Sequence, residues 1–516
     1  MAMLDPVKLR KRAAAALTWL LLLAIAAVPR AAAALTIARR LDADESVVGL
    51  MAKHIAAGES VPFFFYGQDY GGGHVIEALL AAPFFKLFGA SAWAVHLIPI
   101  LFSTATILLV YIYIRRLFGG RTALAAAVLL SFSTQYLRSS LKSDGYIETI
   151  FLGVAALCLL QMLEVAYRET ARRRMTIIAA LMGAMLGLAM WSYDFAAIYA
   201  ATALVFGLRR GLLHPVRLPV FIAGFAAGAS PLIAANISGD YAHLRHLAGG
   251  GPGGPSADGV AERVISLFSK QIPAFLTPDC IHNFVYPIPW YAWCSGAALL
   301  IAVIVLAGNW RKTPAAPALV ALLTLLAYLF SGYNGRSPRY LLPLEPFLST
   351  APALAAAFLY GARRHSANLL AALMLALLAF GLFGGAATLF SNYSIVEGNA
   401  KTNPESLVKV AHFLESNNVK CVKTTYFIKW RLLFLTDEKI NAIDINAQER
   451  ERPYLRYENI GCPEGAEPSY VFHKSSRYRY MFAAELNKSG LPFKVFYTSD
   501  HVTAVPIPKN KRIFKR

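Results

Sequence analysis

Three carboxylates stand within four residues of one short segment: Asp42, Asp44 and Glu45. Two interpretations are open. The segment can be a helix N-terminus, capped by Asp44 or Ser46, because acids are favourable in the first turn of a helix. It can also hold a general base, since a carboxylate that is partly desolvated at an apolar boundary gains basicity. The apolar positions that follow, Val48, Met51 and Ile55, predict an amphipathic helix here.

A run of aromatic, amide and acidic residues follows, with three consecutive glycines at 71–73. Such a mixture is typical of a wall that binds carbohydrate, with rings against sugar C–H faces and polar groups on hydroxyls. An aromatic belt at the membrane interface explains residues 63–66 equally well. It does not explain His74 and Glu77 at the mouth of an apolar stretch, where ionisable groups are costly. The candidate binding residues are Tyr66, Gln68, Asp69, Tyr70, His74 and Glu77.

Two later segments, 135–148 and 333–346, place cations beside aromatic and acidic residues at the ends of apolar runs. Arginine can hold a phosphate group through paired hydrogen bonds. Contact with phospholipid headgroups is the alternative use of such cations. The candidate binding residues are Arg138, Lys142, Tyr146, Glu148, Arg336, Arg339 and Tyr340.

The composition decides which elements must position these groups. The chain has 516 residues, of which 57% are hydrophobic and 16% charged, and its net charge is +20. Soluble proteins carry roughly 25% charged residues, so the composition argues against a soluble enzyme. The basic residues form short clusters between long apolar runs, which is typical of a membrane protein and does not indicate a nucleic-acid binder.

Apolar runs long enough for a helix across a bilayer of about 30 Å recur along the chain. A cleaved signal peptide is the alternative for the first run, although its length and the spans that follow favour retention. The eleven predicted spans are 13–35, 92–114, 122–136, 146–167, 175–191, 195–208, 218–236, 290–308, 315–332, 341–361 and 367–390.

Charge predicts the orientation of these spans. The N-terminus and alternate connections carry eighteen Lys and Arg against Asp5, Glu164 and Glu169. Cytoplasmic loops are rich in Lys and Arg, so these segments are predicted to be cytoplasmic. The segments 36–91, 237–289 and 391–516 are then predicted to lie on the outer, periplasmic or extracellular, face of the inner membrane.

The last 126 residues have a different composition, which predicts a small soluble α/β domain at 391–516 beside a membrane domain at 1–390. Its predicted helices cover 404–416 and 478–488, and its predicted strands 419–427, 470–473, 494–497 and 502–507. Covering the outer face or engaging an acceptor is one role for it, and a scaffold is the other. An oxidising compartment permits Cys421–Cys462 and Cys280–Cys294 disulfides, with free thiols as the alternative.

The motifs in their order along the chain resemble the C-type (GT-C) polytopic glycosyltransferases, and most closely the family-39-like members related to protein O-mannosyltransferases and lipid A aminoarabinose transferases. The resemblance covers about the first 390 residues, and the tail has no counterpart. The motifs that carry it are Asp44-Glu45 with 49–52, then 64–72, 77–79, 85–89, 111–119, 145–149 and 339–343.

The resemblance implies an all-α polytopic membrane fold and the transfer of a hexosyl- or pentosyl-type sugar from a polyprenyl phosphate to an acceptor hydroxyl, with inversion. It implies that Asp44 is the general base, and that Glu45 orients an acceptor or binds a metal. Lys142, Arg336 and Arg339, with Arg138 behind them, are implied to neutralise the phosphate. No cofactor is expected to be required, although a divalent metal at Asp44 and Glu45 is possible. The expected partners are the bilayer, the lipid-linked donor and a lipid, glycan or protein acceptor, without nucleic acid.

Two residues depart from the family pattern: Asp144 stands where a small residue is expected, and Glu345 where an aromatic is common. The alternative functions are a lipid-linked glycan polymerase or ligase, a transporter of lipid-linked sugars, and a non-catalytic assembly protein. A transporter would show internal repeats and broken helices, and no convincing repeat is present. A polymerase or ligase, or a non-catalytic assembly protein, would not need an acid pair shortly after the first span.

Overall fold

The structure is a computed structural model, and it describes residues 6–37, 41–248, 259–277, 288–330, 338–392, 395–397, 400–445, 462–464, 466–474 and 479–507. Helices dominate this part of the chain. Up to the start of the tail, the helices are Pro6–Ile37, Ala43–Ala56, Gly72–Phe88, Ala92–Phe118, Gly120–Phe132, Thr134–Ser139, Tyr146–Arg168, Arg172–Ser192, Ala196–Arg209, Leu218–Gly228, Ser230–Ser238, Ala242–Ala248, Val260–Ser266, Ile272–Phe275, Trp290–Gly308, Ala315–Phe330, Glu345–Leu348, Ala351–Gly361 and His365–Asn392. A π-helical turn lies at Leu267–Gln271 and a 3-10 segment at Pro338–Leu344.

Among the described residues, seven helical segments are long and apolar enough to cross a membrane, or eight if the bent pair Leu218–Gly228 and Ser230–Ser238 is counted as one span. Three of the predicted spans correspond to helices of only 13 to 16 residues, Gly120–Phe132, Ala196–Arg209 and Ala315–Phe330. The chain is therefore a multi-pass membrane protein, and the count of eleven spans stays a prediction. The seven long segments are Ala13–Leu35, Ala92–Phe118, Tyr146–Arg168, Arg172–Ser192, Trp290–Gly308, Pro338–Gly361 and His365–Phe390.

The long spans expose apolar side chains that would be unfavourable in water. Leu17 and Leu20 on the first span, and Phe380 and Phe383 on the last, are all more than 60% exposed. Burial of such side chains in a hydrocarbon core is worth roughly 1.5–3 kcal/mol each. These faces therefore fit contact with lipid.

One helix pair packs through glycine on both sides. Gly183 and Gly187 of Arg172–Ser192 lie against the backbone at Phe221 and Phe225, closer than a Cβ atom could approach. Gly224 and Gly228 of the partner helix Leu218–Gly228 lie equally close to the backbone of Arg172–Ser192. This small-xxx-small spacing on both helices allows their backbones to touch, which is how helices associate where no water drives them together.

The chain divides into two compact units that are each discontinuous in sequence. The first contains residues 1–36, 70–73 and 99–392, and the second contains 37–69, 74–98 and 393–516. The second unit therefore combines most of the first predicted outer segment with the tail. Chain order alone does not indicate this grouping.

The tail forms a mixed five-stranded sheet within the second unit. Its order is Asn441–Asp444, Cys421–Thr424, Ser469–His473, His501–Pro506 and Phe493–Tyr497. The first three strands are parallel and the other pairings are antiparallel. A separate antiparallel pair joins Ile395–Glu397 to Ala400–Thr402. The tail helices are Pro404–Ser416, Tyr426–Leu435 and Arg479–Ser489.

Alternation along the central strand explains why helices cover both faces of this sheet. Val471 packs into a core with Leu407 and Leu432 from the first two tail helices. Its neighbour Tyr470 packs instead with Phe482 from the third helix. Successive side chains of a strand point to opposite faces, so one strand serves both cores.

Most predicted tail elements are present, and the helix at 404–416 has the predicted bounds. The predicted strand at 419–427 is wrong beyond Thr424, because the chain starts a helix at Tyr426. A short apolar run has no periodicity that separates strand from helix. The strand Asn441–Asp444 was not predicted.

The cysteines of the tail are bonded. Cys421 and Cys462 form a disulfide, which confirms one of the two alternatives for this pair. Cys158 and Cys294 are free thiols. Cys280, the other predicted partner of Cys294, lies outside the described residues.

Candidate active site

The acidic segment begins the Ala43–Ala56 helix, and its capping residue is Asp42. The Asp42 carboxylate accepts a hydrogen bond from the Glu45 backbone N–H at 2.9 Å, and Glu45 accepts one from the Asp42 N–H at 2.8 Å. This reciprocal arrangement is a capping box. The expectation that Asp44 or Ser46 caps the helix is therefore wrong. Ser46 instead donates to the Asp42 carbonyl at 2.6 Å.

Asp44 has no part in the cap. It lies half-buried in the first turn, and the Tyr426 hydroxyl donates to its Oδ1 at 2.7 Å. Within the described part of the chain, this is the one side-chain hydrogen bond to the Asp44 carboxylate. The carboxylate thus keeps acceptor capacity that the local fold does not use.

Glu45 is only 2% exposed and lies inside the second unit. Besides closing the cap, its Oε1 lies 3.5 Å from Nδ1 of His96, near the start of the Ala92–Phe118 helix. These contacts tie the acidic turn to a long apolar helix. The predicted helix is present at Ala43–Ala56, and it is buried on nearly all sides.

A buried polar chain lies at the other end of the same helix. Nδ1 of His54 is 2.9 Å from the Tyr66 hydroxyl, and its Nε2 is 3.1 Å from the Glu438 carboxylate. Lys53 pairs with Asp437 at 2.8 Å and with Glu438 at 2.7 Å. Burial lowers the pKa of Lys53, but hydrogen bonds to these two carboxylates outweigh it and raise the pKa above its ordinary value.

Sequence reasoning missed His54, Tyr426 and Glu438. Tyr426 lies 382 residues from Asp44 along the chain, and Glu438 lies 384 residues from His54. No local spacing connects such positions. The one available signal was an ionisable residue, His54, within an apolar helical run.

The other predicted residues of the first outer segment differ in burial. Gln68, Asp69 and Tyr70 are half-buried. His74 is buried, with its ring 4.5 Å from that of Phe65, and Glu77 is only 1% exposed. Both ionisable groups lie in the Gly72–Phe88 helix, which the sequence did not predict.

The first unit brings together three other predicted residues. The Arg339 guanidinium lies 5.6 Å from the ring centre of Tyr146 and 5.2 Å from that of Tyr340. It also donates to the Tyr340 hydroxyl at 3.3 Å. An arginine against two aromatic faces is held by cation–π attraction while its other N–H groups stay available.

Tyr193 and Phe195 complete this cluster, and sequence reasoning missed them. The Tyr146 and Tyr193 hydroxyls are 3.3 Å apart, and Phe195 packs against both rings. The available signal was a polar break, Tyr193-Asp194, between two apolar runs. Gly145 precedes Tyr146 with a φ of 74°, which a side chain would strain.

The remaining predicted residues of these two segments, and the two departures from the family pattern, differ in burial and in contacts. Arg138 is buried, and its Nη1 has no hydrogen-bond partner among the described residues. Glu148 is buried and Lys142 is half-buried. Arg336 lies outside the described residues. Asp144 accepts from the Tyr146 N–H at 3.4 Å, and Glu345 is buried with Ser349 donating to it at 3.3 Å.

The described residues contain no group of three or more His, Cys, Asp or Glu side chains placed to hold a metal ion. Glu45 closes the cap through its side chain, whereas Asp44 takes no part in the cap.

Solved structures share this architecture. ArnT from Cupriavidus metallidurans bound to undecaprenyl phosphate matches with a TM-score of 0.61 and 12% identity, over 96% of this chain and 98% of that chain. Its apo form matches with a TM-score of 0.64 and 13% identity, over 95% and 98%. The oligosaccharyltransferase AglB from Archaeoglobus fulgidus, in complex with an inhibitory peptide and a dolichol-phosphate, matches with 0.54 and 13%, over 95% and 75%. At these identities the likeness shows a shared fold and nothing more specific.

The sequence itself matches one family model. Residues 75–234 match the model described as dolichyl-phosphate-mannose-protein mannosyltransferase. No curated protein sequence matches the chain. The family model and the shared fold together confirm the resemblance to the family-39-like, C-type polytopic membrane glycosyltransferases.

Proposed function

We propose that this protein transfers a sugar from a polyprenyl-phosphate donor to an acceptor hydroxyl at the outer face of the membrane, with inversion, and that Asp44 is the general base. The shared fold supports the donor class, because the ArnT structure holds undecaprenyl phosphate and the AglB complex holds a dolichol-phosphate. The single observation that carries the choice of base is which carboxylates form the cap at the start of the Ala43–Ala56 helix. Asp42 and Glu45 form the cap, and Asp44 does not.

The proposed step balances without a cofactor. The acceptor hydroxyl gives its proton to the Asp44 carboxylate as its oxygen forms a bond to the anomeric carbon. The bond from that carbon to the phosphate oxygen breaks, and the polyprenyl phosphate leaves with the electron pair. Attack opposite the leaving group inverts the configuration, and Asp44 then releases its proton to solvent.

Arg339 is the proposed main cation that binds the donor phosphate. Lys142 and Arg138 are further proposed phosphate-binding cations, and Arg336 is predicted to be another. The leaving phosphate is an anion already, so it needs charge stabilisation and no general acid. Arg339 is suited to this task because two tyrosine rings orient its planar group before any ligand binds.

The test is Asp44→Asn in the full-length protein, purified in membranes and supplied with a polyprenyl-phosphate sugar. We expect transfer to fall by at least about 100-fold, the usual contribution of a general base. The matched control is Asp240→Asn, the same change at an exposed aspartate of the first unit that pairs only with Arg245 among the described residues. Near-normal turnover by Asp44→Asn would exclude Asp44 as the base.

A further inference from the structure

The tail helix Tyr426–Leu435 contacts the helix that carries Asp44, and this inference rests on the proposed role of that residue. We infer that Tyr426 is a positioning residue for the base. Its hydroxyl holds one oxygen of the Asp44 carboxylate, so that the other oxygen is presented to the acceptor hydroxyl.

The hydrogen bond itself fits this role. The Tyr426 hydroxyl donates to Oδ1 of Asp44 at 2.7 Å, a distance typical of a strong bond to an ionised carboxylate. Tyr426 is only 6% exposed, while Asp44 is half-buried. A carboxylate without partners rotates about its terminal torsion and presents either oxygen. A bond to one oxygen restricts that rotation and leaves the second oxygen free to take a proton.

The rest of the helix pair keeps Tyr426 in register. The contacts pair Asp44 with Tyr426, Gly49 with Phe434, and Lys53 with Glu438. The first two pairs advance together along both helices, and the third joins Lys53 to the turn just after the second helix. The two helices therefore run side by side in the same direction, and three contacts hold their register.

Gly49 makes this close approach possible. A Cβ atom at Gly49 would lie about 2.5 Å from the Phe434 ring, closer than real Cβ atoms come. The ion pairs of Lys53 with Asp437 and Glu438 tie the far ends together. Since packing and ion pairs hold the helices, the Tyr426 hydroxyl is not needed merely to keep them joined.

The experiment is Tyr426→Phe in the full-length protein, which removes the hydroxyl and keeps the ring. We expect kcat to fall about tenfold, the effect of losing a hydrogen bond to a charged group, while KM for the polyprenyl-phosphate sugar stays unchanged. The matched control is Tyr497→Phe, an exposed tyrosine on the last hairpin of the tail, which is expected to leave both constants unchanged.

Thermal melting gives a second readout that does not depend on activity. Tyr426→Phe is expected to lower the melting midpoint in the native protein but not in an Asp44→Ala background, because the acceptor is then gone. An equal decrease in both backgrounds would show that the hydroxyl acts elsewhere and would overturn the inference.

The outcomes separate this inference from the proposed function. Loss of transfer in Asp44→Asn together with normal kcat in Tyr426→Phe would overturn only the positioning role. Normal transfer in Asp44→Asn would overturn the proposed base and the inference with it. A rise in donor KM without a change in kcat would place Tyr426 in donor binding and would also overturn the inference.

Discussion

At the residue scale, three neighbouring carboxylates have different surroundings. Asp42 and Glu45 satisfy backbone N–H groups at the start of the Ala43–Ala56 helix. Asp44 is bonded only to a phenol from the tail among the described residues. All three are carboxylates within four residues, so their surroundings in the fold, and not their proximity in the sequence, separate a structural carboxylate from a candidate base.

This difference can be measured with Asp42→Ala. Loss of the cap is expected to cost about 1 kcal/mol of stability, because the helix then begins with an unsatisfied N–H. Thermal melting should show a lower midpoint, whereas Asp44→Asn, which keeps an oxygen acceptor for the Tyr426 hydroxyl, should show a smaller decrease. Asp42→Asn is the control, since asparagine caps equally well. A midpoint unaffected by Asp42→Ala would contradict the capping role.

A second prediction at the residue scale concerns the shape of the Arg339 side chain. Arg339→Lys keeps the charge but loses the planar group that lies against Tyr146 and Tyr340. Each such contact is worth about 0.5–1 kcal/mol, so donor KM is expected to rise about fivefold or more. Arg363→Lys, at an exposed arginine between two spans, is the matched control. Unchanged donor KM would remove Arg339 from the phosphate site.

At the element scale, glycine decides how closely helices pack. Gly183 and Gly187 allow the Arg172–Ser192 helix to touch the backbone of its neighbour, and Gly49 does the same for a ring of the tail. In the membrane, where apolar surface gains little from leaving lipid, such close contact is a main source of helix association.

Gly187→Ala tests this packing. Alanine normally stabilises a helix relative to glycine by about 0.5–1 kcal/mol. Here its Cβ would collide with the Phe225 carbonyl, and overpacking of this kind costs about 1–3 kcal/mol. We therefore expect a lower melting midpoint for Gly187→Ala. Gly120→Ala has open space around its Cβ and should melt at the same temperature or higher. The opposite order would refute the close approach.

At the scale of the whole molecule, each connecting segment lies on one side of the membrane or the other. The charge distribution predicts that the tail is outside. The Cys421–Cys462 disulfide supports the same side, because such bonds form and persist in oxidising compartments.

Two measurements test this orientation. An alkaline phosphatase reporter fused after residue 507 is expected to be active, because that enzyme needs an oxidising compartment to fold. Reduction of the denatured protein should also expose two more thiols per chain to a maleimide label. The double variant Cys421→Ser with Cys462→Ser should show no such gain. An inactive reporter would place the tail in the cytoplasm.

The sequence by itself determined the membrane class, the apolar runs, the family resemblance and most tail elements, because these depend on composition, periodicity and local order. It placed the helix 404–416 correctly and marked Asp44 and Arg339 as candidates. Only the tertiary structure decided that Asp42 is the cap, that Tyr426 reaches Asp44, and that Tyr193 joins Tyr146. The physical reason is that a hydrogen bond between residues 382 positions apart depends on how helices pack, and no local pattern records that packing.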